Sequence, residues 1–218
     1  MLGNLLADTG LVGRAGEYFG QPFRREVVPG LSRRRFDDYL VDCTEHARST
    51  GTLGIKLHWD QVEVFLYLLR LRRGLRGLTD RQVIEAVFPA PRFVWLTRED
   101  VLAQAVSWWK AMTTRKWTDG RPVRGEPTFD ADGITARLRR IDEQTEAWRR
   151  WFEANGIEPL CVTYEQLTAE PAAEVRRVLA FAGVGAQDDL VVTLRTQRQA
   201  DAVNEDWIRR YRELTRSP

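Results

Sequence analysis

The chain has 218 residues, long enough for a full hydrophobic core, and 43% apolar content with eight Trp argues against disorder. Its 33 basic and 31 acidic residues leave a net charge of +2, so nothing global draws it to nucleic acid, and an anionic ligand needs a local cluster of donors. No apolar run approaches the roughly 18 to 20 residues of a membrane span. Two cysteines cannot build a disulfide framework and fit a reducing, cytoplasmic setting, and two histidines without Cys partners at ligand spacing leave metal binding unsupported.

In chain order, residues 2–7 read as a short helix stopped at Gly10. Loop-rich sequence comes next, with Gly13, Gly16, Gly20, Pro22, Pro29 and Gly30. Within it, Arg24-Arg25 and Arg33-Arg34-Arg35 lie beside Glu26, Asp37 and Asp38 and read as a solvated face. Residues 53–58 form a strand candidate that leads into an apolar helical segment over 62–71, and 79–88 also looks helical. Phe93 to Leu96 is an apolar, β-branched and aromatic run too short for a helix, which predicts a buried strand. Thr97-Arg98-Glu99-Asp100 interrupts it with acidic residues suited to a helix's first turn. Val101, Leu102, Ala105, Val106, Trp108 and Trp109 then recur at helical spacing.

Ile134, Leu138, Ile141, Trp148 and Phe152 predict a long amphipathic helix capped by Gly156. Residues 159–162 are a third strand, Val175, Val178, Leu179 and Ala182 mark another helix, and Trp207, Ile208 and Tyr211 a final one. This alternation predicts an α/β fold, a parallel sheet flanked by helices, in one domain over residues 1–218.

Three sets of residues carry chemistry. Arg98 falls at the carboxyl end of a parallel-type strand just before a helix, where open α/β sheets bind phosphorylated ligands; a solvated loop residue is the other reading. Glu17, between Gly16 and the aromatics Tyr18 and Phe19, suggests a carboxylate whose pKa is raised towards general-base use. In Gly54-Ile55-Lys56-Leu57-His58-Trp59-Asp60-Gln61, the strand period of two places Lys56 and His58 on one face. Lys offers positive charge to a transferring group, and His accepts a proton near neutral pH.

These segments resemble sulfotransferases that use 3′-phosphoadenylyl sulfate (PAPS), most closely the bacterial trehalose sulfotransferase type, from Leu2 to Tyr211. Residues 91–117 are similar to the family's 3′-phosphate-binding segment, with Arg98, Ser107, Trp109 and Trp117 at matching positions. Glu99 stands where the family often has Pro, so its carboxylate has to point away from the phosphate. Glu17 matches the glutamate of a G-x-x-x-E-[FY]-F segment that is proposed to deprotonate the acceptor, and residues 54–61 resemble a G-[GI]-K-L-x-W-x-Q pattern. The Lys56-x-His58 pair is also similar to that of cytosolic sulfotransferases, in which the Lys contacts the sulfuryl group and the His is the base. The resemblance therefore implies Lys56 at the sulfuryl group and either Glu17 or His58 as base, with Glu17 preferred.

Tyr164 resembles the Tyr of a Y-E-x-L segment that lies near adenine, and Arg198 an arginine of the loop that closes over the nucleotide. His46 also falls in family-like sequence and receives no role. Taken together, the resemblance implies a PAPS-dependent transferase acting on a carbohydrate or glycolipid hydroxyl, without a metal. Aromatics around residues 108–117 are compatible with a homodimer. The competing reading is an inactive sulfotransferase-like binding or scaffolding domain.

The family's first strand and its R-[ST]-G-[ST]-T-L-L phosphosulfate turn have no counterpart here, and residues 1–10 resemble the helix after that turn. The expectation is a P-loop-like fold lacking its first strand, truncated by about two dozen residues (the span of one strand, turn and helix start). As given, the 218-residue product is expected to be poorly soluble and inactive.

Overall fold

The computed structural model describes residues 1–13, 15–20, 33–45, 51–72, 74–116, 125–185, 192 and 202–216. In chain order these form α1 (Leu2–Asp8), α2 (Arg33–Glu45), α3 (Trp59–Arg70), α4 (Asp80–Val87), β1 (Val94–Thr97) and α5 (Val101–Thr114). They continue with α6 (Ala131–Ala154), β2 (Leu160–Thr163), α7 (Tyr164–Ala169), α8 (Pro171–Phe181) and α9 (Ala202–Arg216). None of the described helices is long and apolar enough to cross a membrane.

The two strands run parallel, with Val94 opposite Leu160 and Thr97 opposite Thr163. Alternation sends successive side chains to opposite faces of the sheet. Val94 and Val162 join the cluster built from Leu2 and Leu5 of α1 and Val175, Val178 and Leu179 of α8. Trp95 turns the other way, its ring 5.6 Å from that of Phe152 on α6, and Phe93 on the same face lies 6.0 Å from Trp151. Helices thus cover both faces, and the α/β expectation holds.

Helix ends obey their local chemistry. Thr79 caps α4, its hydroxyl accepting from Gln82 N–H while the Gln82 side chain accepts from Thr79 N–H. Gly156 ends α6 with φ of +56°, Gly156 N–H donating to Glu153 O and Ile157 N–H to Phe152 O. That is the left-handed glycine stop expected at this position. Between α5 and α6, Gly133 makes close approach possible, since a Cβ there would lie 2.7 Å from the Trp109 ring.

Two expectations need correction. Part of the stretch expected as loop is the helix α2, because Phe36, Leu40 and Cys43 recur at helical spacing and are all buried. Their stripe is thin and surrounded by charged residues, which hides it in the sequence. Residues 53–58 do not form a strand but make one parallel bridge, Ile55 to Gly16. The glycines explain its form: a Cβ on Gly54 would lie 2.9 Å from Ala15 Cα, so the two backbones touch where side chains would normally separate them. Ala15 in turn contacts Gly3 of α1, where a Cβ would come within 3.0 Å of Ala15 Cβ. The bridge is thereby tied to the helix that packs under the sheet.

Candidate active site

Glu17, Lys56 and His58 come together. Lys56 N–H donates to Gly16 O at 2.9 Å, which sets Lys56 beside the residue after Gly16. From there Lys56 Nζ donates to Glu17 Oε1 at 2.6 Å. His58 Nε2 lies 3.3 Å from the same oxygen. Lys56 and His58 thus reach one carboxylate oxygen, although residues 53–58 do not form the strand that the period of two presupposes. All three side chains are half-exposed, so a substrate can reach them.

The framework under His58 is firm. His58 opens α3, its N–H donating to Oε1 of the buried Gln61 at 3.1 Å. Trp59 then packs edge-on against Trp148 of α6, ring centroids 5.1 Å apart. Gln61 carries no expected role from the sequence, although a polar residue three positions after a helix start is a capping signal.

The Glu17 carboxyl departs from expectation in sign. Burial alone raises its pKa, but the hydrogen bond and charge of Lys56, with His58 beside it, outweigh burial and hold it below the usual carboxylate value of 4.5. Nothing local in the sequence signals this, because Lys56 is 39 residues away in the chain.

A second cluster forms at the strand ends. Thr97 and Thr163 are register partners, so the residues after them, Arg98 and Tyr164, are neighbours. The Arg98 guanidinium carbon lies 4.6 Å from the centre of the Tyr164 ring. Glu165, the next residue, accepts hydrogen bonds from Glu99 N–H at 3.0 Å and Asp100 N–H at 3.4 Å. Its carboxylate also lies 3.7 Å from Arg98 Nε, a buried nitrogen with no hydrogen-bond partner among the described residues. Glu99 itself is exposed, and its backbone N–H is the group that joins this cluster.

Asp100 caps α5, accepting from Ala103 N–H at 2.8 Å. Ser107 is half-buried about two turns further along, on the same helix face as Asp100. Trp109 serves the α5–α6 junction instead, its Nε1 donating to Thr128 O at 2.9 Å. Arg198, Trp117 and His46 lie outside the described residues. Glu165, which falls in the Y-E-x-L segment, carries no role from the sequence. A usable signal is Thr163-x-x-Gln166, a reciprocal cap that fixes Tyr164 and Glu165 in the first turn of α7.

The chain is 30% identical over 187 residues to a trehalose 2-sulfotransferase of Mycobacterium tuberculosis, a match covering 79% of this chain and 67% of that protein. It is 31% identical over 172 residues to a trehalose 2-sulfotransferase of Mycolicibacterium smegmatis, covering 74% and 61%. The chain therefore spans about two thirds or less of the length of these relatives. The family model for Stf0 sulphotransferase matches residues 1–214, and with that extent of agreement the chain belongs to the Stf0 sulphotransferase family.

Proposed function

We propose that this protein transfers a sulfuryl group from PAPS to a hydroxyl of a carbohydrate or glycolipid. The observation that carries the reading is the single Glu17 oxygen shared by Lys56 Nζ and His58 Nε2. A carboxylate, an ammonium and an imidazole this close together support a reading with a general base and a charge-stabilising cation in one reacting volume. The names of the relatives, trehalose 2-sulfotransferases, favour a sugar acceptor. A cytoplasmic setting belongs to the same reading and fits two free cysteines, Cys43 and Cys161.

The residues at the strand ends suit the donor nucleotide. Arg98 offers a guanidinium whose buried Nε has no hydrogen-bond partner among the described residues, and Ser107 a hydroxyl on the adjoining helix. A cation and a neutral donor together suit a phosphate. Arg98 and Ser107 would hold the 3′-phosphate, with Tyr164 near the adenine and Arg198 closing over the nucleotide.

In the reaction, the acceptor hydroxyl oxygen attacks sulfur while its proton passes to Glu17, or to His58 beside it. The bond from sulfur to the bridging oxygen of the 5′-phosphate breaks, and that oxygen keeps the electron pair. The products are the sulfate ester and adenosine 3′,5′-bisphosphate. Lys56 stabilises charge on the sulfuryl oxygens in the transition state. Its contact with Glu17 also keeps the carboxylate ionised and ready to accept a proton. The leaving group is already good, so positioning and charge supply most of the rate.

The test is transfer by the natural full-length protein, with PAPS as donor and trehalose among the acceptors, read by product mass. A sulfated sugar that disappears in Lys56→Ala supports the reading. No sulfated product from any sugar or glycolipid acceptor contradicts it.

A further inference from the structure

Glu165 holds three groups at once. Its carboxylate accepts from Glu99 N–H and Asp100 N–H, the amides of the β1–α5 turn, and lies 3.7 Å from Arg98 Nε. The preceding residue, Tyr164, covers one face of the same guanidinium at 4.6 Å. Thr163 and Gln166 cap each other and so fix both residues in the first turn of α7. Arg98 is thus held on its flat face by an aromatic ring and at its Nε edge by a carboxylate. The contact is made through Nε, and it is the two terminal nitrogens that grip a phosphate as a fork.

We propose that Glu165 is a positioning residue that sets the Arg98 guanidinium and the β1–α5 turn for the 3′-phosphate of the nucleotide. This rests on the nucleotide reading under Proposed function. An unheld arginine side chain must lose its rotamer freedom when the ligand binds, and that loss subtracts from affinity. Glu165 and Tyr164 remove much of that freedom beforehand. A carboxylate so near an anion site also repels the phosphate, so the two effects oppose and the sign of a substitution decides between them. The proposal requires that positioning outweigh repulsion.

The experiment is a double-mutant cycle in the natural full-length protein, with Glu165→Gln, Arg98→Ala and the pair. Calorimetry reads the affinities for adenosine 3′,5′-bisphosphate and adenosine 5′-phosphate. Gln removes the charge beside Nε and keeps one acceptor oxygen for two amides that Glu165 serves with different oxygens, so the comparison of the two nucleotides separates the charge from the turn. The expected result is that Glu165→Gln weakens the bisphosphate by roughly threefold to tenfold, the worth of restricting one long side chain before the ligand binds. The 5′-phosphate should be nearly unaffected, and Glu165→Gln should add no loss once Arg98 is Ala. Unchanged or tighter bisphosphate binding overturns the proposal, since the carboxylate then only repels. Equal losses for both ligands, or an undiminished loss in the Arg98→Ala background, also overturn it by showing a merely structural role. If the wild type itself fails to prefer the bisphosphate, the nucleotide reading falls and takes this one with it. If Arg98→Ala alone abolishes the preference, only the role of Glu165 is at stake.

Discussion

Lys56 donates a 2.6 Å hydrogen bond to Glu17, across 39 residues of chain. The contact depends on two glycine-bearing segments laid side by side at the Gly16–Ile55 bridge. It joins a loop carboxylate to an ammonium, with the His58 imidazole beside them, and most of the proposed chemistry depends on it.

With Glu17 as the base, Glu17→Gln should lower turnover by about 10² to 10⁴, with nucleotide affinity nearly unchanged. His58→Asn should cost less, because the proposed reading gives the proton to Glu17 first. Steady-state kinetics of the two variants decides the matter, and the reverse order would make His58 the base.

The depressed Glu17 pKa has a defined sign. The folded value lies below the ordinary 4.5, so the stabilising contact is present above that value and is lost as pH falls through the lower folded one. The pair is half-exposed and solvent screens it, so the stability effect is small. The kinetic effect is easier to see. The acid limb of kcat/KM should lie below the ordinary carboxylate range and shift upward in Lys56→Gln. An acid limb that stays put in that variant would separate Lys56 from Glu17.

Gly54 tests the bridge itself. A Cβ there would meet Ala15 Cα at 2.9 Å, and backbone yields less readily than a flexible side chain. Gly54→Ala should destabilise by about 1–3 kcal/mol, the usual cost of overpacking. It should also reduce turnover by separating Glu17 from Lys56. Thermal unfolding beside kinetics checks both, and wild-type stability in the variant would show that the two segments part freely.

The fold is legible in the sequence wherever apolar periodicity is strong. β1, α5, α6 and α8 fall within a few residues of expectation because Trp95, Val106, Ile141 and Val178 each sit in a clear strand or helix pattern. The helix α2 escapes such a reading because Phe36, Leu40 and Cys43 are three apolar positions in a charged stretch. At the site, the residue types at Glu17, Lys56, His58 and Arg98 are readable, but their pairings are not. The Glu17–Lys56 contact and the Glu165–Arg98 contact are long-range, and only the parallel register of Thr97 with Thr163 brings the second one about. The direction of the Glu17 shift is hidden for the same reason: a flanking glycine and aromatics are visible locally, whereas a distant ammonium is not.

The central claim is that the β1–α5 junction reads the 3′-phosphate of the donor nucleotide, and calorimetry of Arg98→Ala tests it most directly. Adenosine 3′,5′-bisphosphate and adenosine 5′-phosphate differ only in the phosphate assigned to Arg98. Wild-type protein should prefer the bisphosphate, and Arg98→Ala should lower bisphosphate affinity by roughly tenfold or more, as for lost charge-assisted hydrogen bonds. Binding of the 5′-phosphate should change little. Equal losses for the two ligands would contradict the claim and remove Arg98 from the nucleotide site.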